Sequence, residues 1–263
     1  MYQDTQIQEP WQRMHAFATG VSGGAGSMHP IGPVALGKLP IVSRFMKGVF
    51  RMNTPQPKLC TTRKVQVALD HLKRLRPVEE LSLREISGNL VLLLALTSAA
   101  RAHELAALDL DHLTEKEDSW EFTLAVHVKQ SRPGHPARKI YLPAYPVNRK
   151  LCVVTTVRAY RARTIAIRQF LKLLLALIAP HAPISSQTVS RWLRNILKLA
   201  EINPTFTGHS TRSASTTAAA EAGIPLELIL EAADWSSAGT FRAHYLRPTG
   251  IGKETFANSV ISG

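Results

Sequence analysis

Two arginines, a histidine, a tryptophan and a tyrosine stand in this chain where their side chains can act together on a phosphate. Arg101 lies in Thr97-Ser98-Ala99-Ala100-Arg101-Ala102-His103-Glu104-Leu105. Far downstream, Gly208-His209-Ser210-Thr211-Arg212 is followed by Trp235-Ser236-Ser237 and by Tyr245 in Phe241-Arg242-Ala243-His244-Tyr245. Breaking a phosphodiester with a protein nucleophile requires neutralising extra charge on the non-bridging oxygens, activating the nucleophile and protonating the leaving 5′-oxygen. Arginine suits the first task, because its planar fork binds two phosphate oxygens and stays protonated. Preorganised donors of this kind contribute about 2.7–4 kcal/mol each to a transition state. His209 precedes Arg212 by one helical turn, so both project from one helix face, and its imidazole can take or give a proton. The indole of Trp235 can only donate, which suits phosphate binding and not proton transfer. Taken one at a time, these are also a surface arginine, a helix-start histidine, a core tryptophan and a packed tyrosine.

In order and spacing, Arg-x-x-Glu-Leu, His-x-x-Arg, Trp and Tyr resemble the catalytic domain of the tyrosine recombinases, the phage-integrase family. The resemblance runs over roughly Ile41–Pro248. The interval from Trp235 to Tyr245, longer than in many bacterial relatives, and the Trp-Ser-Ser context look most like eukaryotic Crypton- or DIRS-like mobile-element recombinases. The resemblance assigns roles. Arg101 and Arg212 would clamp the phosphate, and Tyr245 would attack phosphorus to leave a 3′-phosphotyrosyl bond and a free 5′-hydroxyl. Trp235 occupies a position held by histidine or tryptophan. Lys129 matches the β-hairpin lysine that acts as general acid, although Arg132, Arg138 and Lys139 lie close by. Glu104 matches an acidic position that supports the site by orienting a cationic neighbour. The resemblance implies no metal or other cofactor, and rejoining needs no ATP because the phosphotyrosyl bond stores the energy of the broken one.

A net charge of +13, from 32 Lys+Arg against 19 Asp+Glu, gives a pI near 10.1 and favours a polyanionic partner. Double-stranded DNA is the expected partner, with self-association on it. Hydrophobic residues make up 45% of the 263, enough for a sizeable core. Cys60 and Cys152 lack the neighbours of a zinc site and read as reduced thiols. The apolar runs Leu90–Leu96 and Phe170–Ala179 are too short to span a bilayer, and no secretory signal is visible, so an intracellular protein without a membrane partner is expected. The family resemblance together with the basic charge implies a nuclear one.

These residues need a scaffold, and the hydrophobic pattern supplies one. Met1–Pro40, dense in Gly and Pro, reads as an irregular arm, followed by a helix at Ile41–Met52 and an extended Asn53–Pro57 linker. Residues 1–57 are thus expected to be an arm with one remnant core-binding helix, 58–248 the catalytic domain and 249–263 an irregular tail. From Thr62, Val65, Leu69, Leu72 and Leu75 fall at helical spacing until Pro77. Ser82-Leu83-Arg84-Glu85 is a capping box opening a helix that is apolar all round. A short helix at His103–Leu108 follows. Trp120–Val128 and Lys139–Leu142 predict a β-hairpin about a turn at Arg132–Pro136. Further helices are predicted over Thr155–Arg168, Gln187–Ala200 and His209–Ala222, the last closed by Gly223. Pro225 is expected in the first turn of Leu226–Ala233, and Phe241–Leu246 reads as a last short helix. Phe170–Ala179 fits either helix or strand.

The fold class is therefore mainly α with a small antiparallel sheet, that of the tyrosine recombinase catalytic domain. The leading functional expectation is site-specific DNA cleavage and rejoining through a phosphotyrosyl intermediate. The alternative is a catalytically inactive DNA-binding remnant of a mobile element, consistent with the single amino-terminal helix and the departure of Ile167–Pro183 from the family pattern. A type IB topoisomerase, sharing the chemistry but not the Trp-Ser-Ser context, ranks below these. A basic RNA-binding module ranks last, for want of an aromatic-rich strand motif.

Overall fold

A computed structural model describes residues 39–52, 63–125, 137–202, 208–235, 238–239 and 241, with residues 63–64 and 208–209 described by their backbone only. The chain divides into two units, Met1–Lys58 and Leu59–Gly263. In the first, helix α1 (Pro40–Met52) gathers Ile41, Val42, Phe45, Met46 and Val49 on one side and Arg44, Lys47 and Arg51 on the other, with no residue buried.

The second unit is built around one helix. After α2 (Arg63–Arg74) and a short 3₁₀ turn at Val78–Glu80, helix α3 runs from Leu83 to Ser98. Its start is set by the expected capping box: Glu85 N donates to Ser82 Oγ at 3.3 Å, and Ser82 N donates to Glu85 Oε2 at 2.8 Å. Leu90 to Ala95 are all buried, so α3 is held by packing on every side. Each buried leucine is worth roughly 1.5–3 kcal/mol, well above any difference in helix propensity. Its end is abrupt. Ala99 takes a left-handed conformation, φ 48° and ψ 26°, and the chain turns into the short helix α4 (Ala102–Ala107).

The sheet is a three-stranded antiparallel meander, β1 (Leu113–Glu115), β2 (Ser119–Thr123) and β3 (Lys139–Pro143), in the order β1-β2-β3. Trp120 faces Leu142 and Phe122 faces Ile140, and all four are buried. Their outward neighbours pair by charge, Lys139 Nζ lying 2.7 Å from Glu121 Oε1. The alternation that predicted the hairpin is thus the alternation of faces. β1 was not anticipated, since three residues are too few to show a period. The predicted continuation of the hairpin to Val128 and its turn lie outside the described residues.

Helix α5 (Val153–Thr164) begins at Cys152, whose Sγ accepts from Thr155 N at 3.4 Å and from Tyr145 N at 3.2 Å. It is followed by a 3₁₀ turn at Ile165–Ile167, which accounts for the end of the longer predicted helix. Phe170–Ala179 becomes neither helix nor strand. It is a series of bends with isolated bridges from Lys172 to Asp109 and from Leu175 to Pro183, and it buries Leu173, Leu174 and Leu175. Pro180 and Pro183 prevent a continuous ladder, and Tyr160 Oη accepts from Leu175 N at 3.0 Å.

The remaining helices are α6 (Ser186–Leu199), α7 (Gly208–Glu221) and α8 (Leu226–Ala232). α6 buries Val189, Trp192, Leu193, Ile196 and Leu197, whereas Leu199, apolar and expected on the same stripe, is exposed at the end of the helix. Gly223, at φ 80°, lies just beyond α7, a conformation glycine adopts without strain. α8 begins at Leu226 as expected; Pro225, with an extended ψ of 139°, is the residue just before it and not part of its first turn. α3 packs against α5, α6, α7 and β3. A second apolar cluster, Ala99, Ile229, Ala233, Trp235 and Phe241, lies beyond the end of α3. The fold is mainly helical with one small antiparallel sheet, as the sequence implied.

Candidate active site

The abrupt end of α3 makes the site. Because Ala99 is left-handed, the chain reverses within two residues and presents Arg101 as the residue that opens α4. Glu104 then folds back: Arg101 N donates to its Oε2 at 2.7 Å, and Arg101 Nη1 lies 2.8 Å from its Oε1. The Arg-x-x-Glu spacing read from the sequence is thus a helix-start motif in which the acid satisfies a free backbone donor and orients the guanidinium.

Glu104 is fully buried and faces more than one cation. Arg212 of α7 places Nη1 3.9 Å from Oε2, and Arg138, just before β3, places Nε 3.4 Å from the same oxygen. Burial pushes the carboxyl up, but the Arg138 charge, the Arg101 backbone N–H and the Arg101 guanidinium hold it below the ordinary carboxylate range. Three guanidiniums therefore surround one carboxylate, and the excess positive charge favours an anion nearby.

Arg212 is 1% exposed. Nη1 donates to Ala99 O at 2.6 Å, Nη2 donates to Ala233 O, and the guanidinium carbon stands 4.6 Å over the Trp235 ring. One side chain thereby joins the end of α3, the end of α8 and the indole. Trp235, 7% exposed, also packs on Phe241 at 5.5 Å between centroids, as a core tryptophan does. Arg101 is the more accessible arginine, its side chain 14% exposed.

The structure thus brings Arg101, Glu104, Arg212 and Trp235 together. The backbone of His209 lies in the first turn of α7, one turn before Arg212. Its side chain, Lys129 and Tyr245 lie outside the described residues. The sequence reading gave Arg138 no role beyond being a basic neighbour of Lys129, and passed over Asp234, whose Oδ2 is 4.0 Å from Arg138 Nη1. A signal for Arg138 was present: it shares the inward phase of Ile140 and Leu142, and a charge on a buried strand face requires a partner. Among the described residues no group of His, Cys, Asp and Glu is arranged to hold a metal ion, and no helix is long and apolar enough to cross a membrane.

Residues 63–250 match the Phage integrase family. The chain belongs to the phage integrase family. No curated protein matches it. Among solved structures, this integrase-family chain is similar to the XerH site-specific recombinase in a post-cleavage complex with a palindromic difH substrate, at 13% identity and a TM-score of 0.59. That similarity covers 79% of this chain and 53% of XerH, so the chain spans about half the length of that protein. It is also similar to XerA recombinase (12% identity, TM-score 0.57, 96% of this chain and 85% of that one). The integrase of transposon Tn1549 in complex with transposon right end DNA is a further relative in fold (12%, 0.54, 94% and 84%). Identities this low speak to the fold alone, and the fold is that of the tyrosine recombinases.

Proposed function

We propose that this chain cleaves and rejoins DNA by site-specific recombination, with Tyr245 as nucleophile and a 3′-phosphotyrosyl intermediate. The observation that carries the reading is the sharing of Glu104 by Arg101 and Arg212: residues from distant parts of the sequence are oriented by one buried carboxylate. Arg101, partly exposed, meets the phosphate first, and Arg212, seated behind it with its fork on Ala99 O and Ala233 O, supplies charge as the pentacoordinate phosphorus becomes more negative. Trp235 donates its indole N–H to a non-bridging oxygen. His209, on the helix face of Arg212, handles the proton of the attacking tyrosine, and Lys129 protonates the leaving 5′-oxygen. The sequence context of Trp235 supports placement among mobile-element recombinases of the Crypton or DIRS type, acting in a nucleus. On this reading, residues 58–248 form the catalytic domain, preceded by an arm and followed by a tail, and copies associate on duplex DNA.

The test is covalent trapping. Nicked duplexes of randomised sequence around the nick allow the cleaved strand to diffuse away, leaving protein on DNA through a denaturant. Such an adduct, absent with Tyr245→Phe, supports the reading. DNA binding without any adduct identifies a DNA-binding remnant instead.

A further inference from the structure

Among the described residues, Arg138 is the buried cation that the reaction scheme above leaves without a role. Its side chain is 3% exposed. Besides Nε at 3.4 Å from Glu104 Oε2 and Nη1 at 4.0 Å from Asp234 Oδ2, its Nη2 donates to Ala232 O at 3.2 Å and to Ser98 O at 3.5 Å. Its own carbonyl accepts from Leu124 N at 2.9 Å, extending the β2–β3 pairing past Thr123. One residue therefore ties the returning strand of the hairpin to the last turn of α3, the last turn of α8 and the shared carboxylate.

Two of these attachments lie beside the backbone that seats Arg212. Ser98 precedes Ala99, and Ala232 precedes Ala233, whose carbonyls Arg212 grips. Asp234, left-handed at φ 51°, leads directly into Trp235. A left-handed non-glycine residue persists only where its surroundings hold it, and the charge of Arg138 faces its carboxylate. We propose that Arg138 is a positioning residue for the arginine pair: by gripping Glu104 and both helix ends at once, it fixes the seat in which Arg212 lies over Trp235 and opposite Arg101.

This rests on the reading that Arg101 and Arg212 clamp a phosphate, but its physical core is measurable without DNA. Among the described residues, the charged groups within ion-pair distance of Glu104 are Arg101, Arg138 and Arg212, and Asp234 acts on it through Arg138. Arg138 contributes the strongest of the pulls that keep Glu104 ionised against its burial. Removing that charge raises the pH at which Glu104 takes up a proton. Once neutral, Glu104 no longer attracts Arg212, and the cation over the Trp235 ring shifts.

The experiment uses the full chain labelled with ¹⁵N-tryptophan, the Trp235 indole resonance being assigned with Trp235→Phe. In the parent protein the resonance stays fixed from neutral pH down to about pH 5, below the usual His and above the usual Glu range. Arg138→Met, which keeps the bulk and loses the charge, makes it titrate with a midpoint above the parent's. Arg138→Lys, a gentler change should the methionine variant fail to fold, restores most of the charge and returns the midpoint most of the way. A folded Arg138→Met protein whose Trp235 resonance is indistinguishable from the parent's at every pH overturns the proposal. Where only Arg138→Lys folds, a Trp235 resonance unmoved at neutral pH does so, because an ammonium cannot grip both helix ends and Glu104 at once. The same variants are assayed for adduct formation on the randomised nicked duplexes. The acid limb of the adduct rate should move with the resonance, with DNA affinity unchanged. A parent that forms no adduct removes the recombinase reading and leaves the resonance to decide whether Arg138 sets the seat of Arg212. A parent that forms adduct while Arg138→Met keeps an unchanged rate and pH profile removes this inference alone.

Discussion

Arg212 Nη1 donates to Ala99 O at 2.6 Å, so the arginine of α7 closes the open end of α3. The last carbonyls of a helix lack intrahelical donors, and here a buried guanidinium supplies one. The same bond fixes where Arg101 begins, two residues after Ala99. The candidate site is thus also a structural joint.

That joint depends on the left-handed Ala99. Ala99→Val should destabilise the protein by more than about 2 kcal/mol, since a β-branched residue resists this conformation and the position is buried. Ala99→Gly, which relieves strain but loses a methyl group, should fall within about 1 kcal/mol of the parent. Urea unfolding of both variants separates strain from packing; equal losses would show that strain is not the controlling factor.

Glu104 links stability to pH. Its folded carboxyl is held below its unfolded value, so its contribution is fully present above the unfolded value, near 4.3, and is lost as pH falls through the folded one. Thermal unfolding as a function of pH should therefore show an acid decline that flattens in Glu104→Gln. At neutral pH Glu104→Ala should cost about 3–5 kcal/mol, because it leaves buried guanidiniums facing one another. An Ala variant as stable as the parent would mean that the carboxylate does not hold the arginines.

How much of this was legible depended on the range of the signal. Helices α3 and α6 and the inward faces of β2 and β3 could be read because capping and periodicity are written in neighbouring residues. Phe170–Ala179 could not, because its shape comes from bonds with remote partners: Leu173 N to Leu108 O, and Ile184 N to Leu174 O. The types of Arg101, Glu104, Arg212 and Trp235 suggested a shared site, and they do meet. Their order of burial was not legible: nothing local says that Arg212 is enclosed while Arg101 is more open. Arg138 had been weighed only as a basic neighbour of Lys129, although its phase with Ile140 points inward.

Cys152 provides a smaller check on local structure. Its Sγ accepts the backbone N–H of Thr155 at the start of α5. Cys152→Ser keeps an acceptor there and should change stability by less than about 0.5 kcal/mol, whereas Cys152→Ala should cost about 1 kcal/mol. Equal effects of the two substitutions would show that the thiol acts through packing alone.

The net charge of +13 leads to a binding prediction. Affinity for duplex DNA should fall steeply and log-linearly with salt, since each neutralised phosphate releases condensed counterion. Arg212→Ala, which removes a buried residue, should change that slope little, whereas it should suppress covalent chemistry. Titrations at several salt concentrations decide this, and salt-independent binding would contradict a phosphate-dominated interface.

The most direct measurement of the central claim is adduct formation on nicked duplexes by the parent, by Tyr245→Phe and by Arg212→Ala. The Phe substitution keeps the ring and removes the one oxygen able to bond phosphorus. The parent should leave a denaturant-resistant protein–DNA adduct, Tyr245→Phe none at unchanged DNA affinity, and Arg212→Ala a yield reduced at least about a hundredfold, the effect of removing a preorganised donor. An adduct that survives Tyr245→Phe, or a parent that binds every duplex and forms none, would contradict that claim.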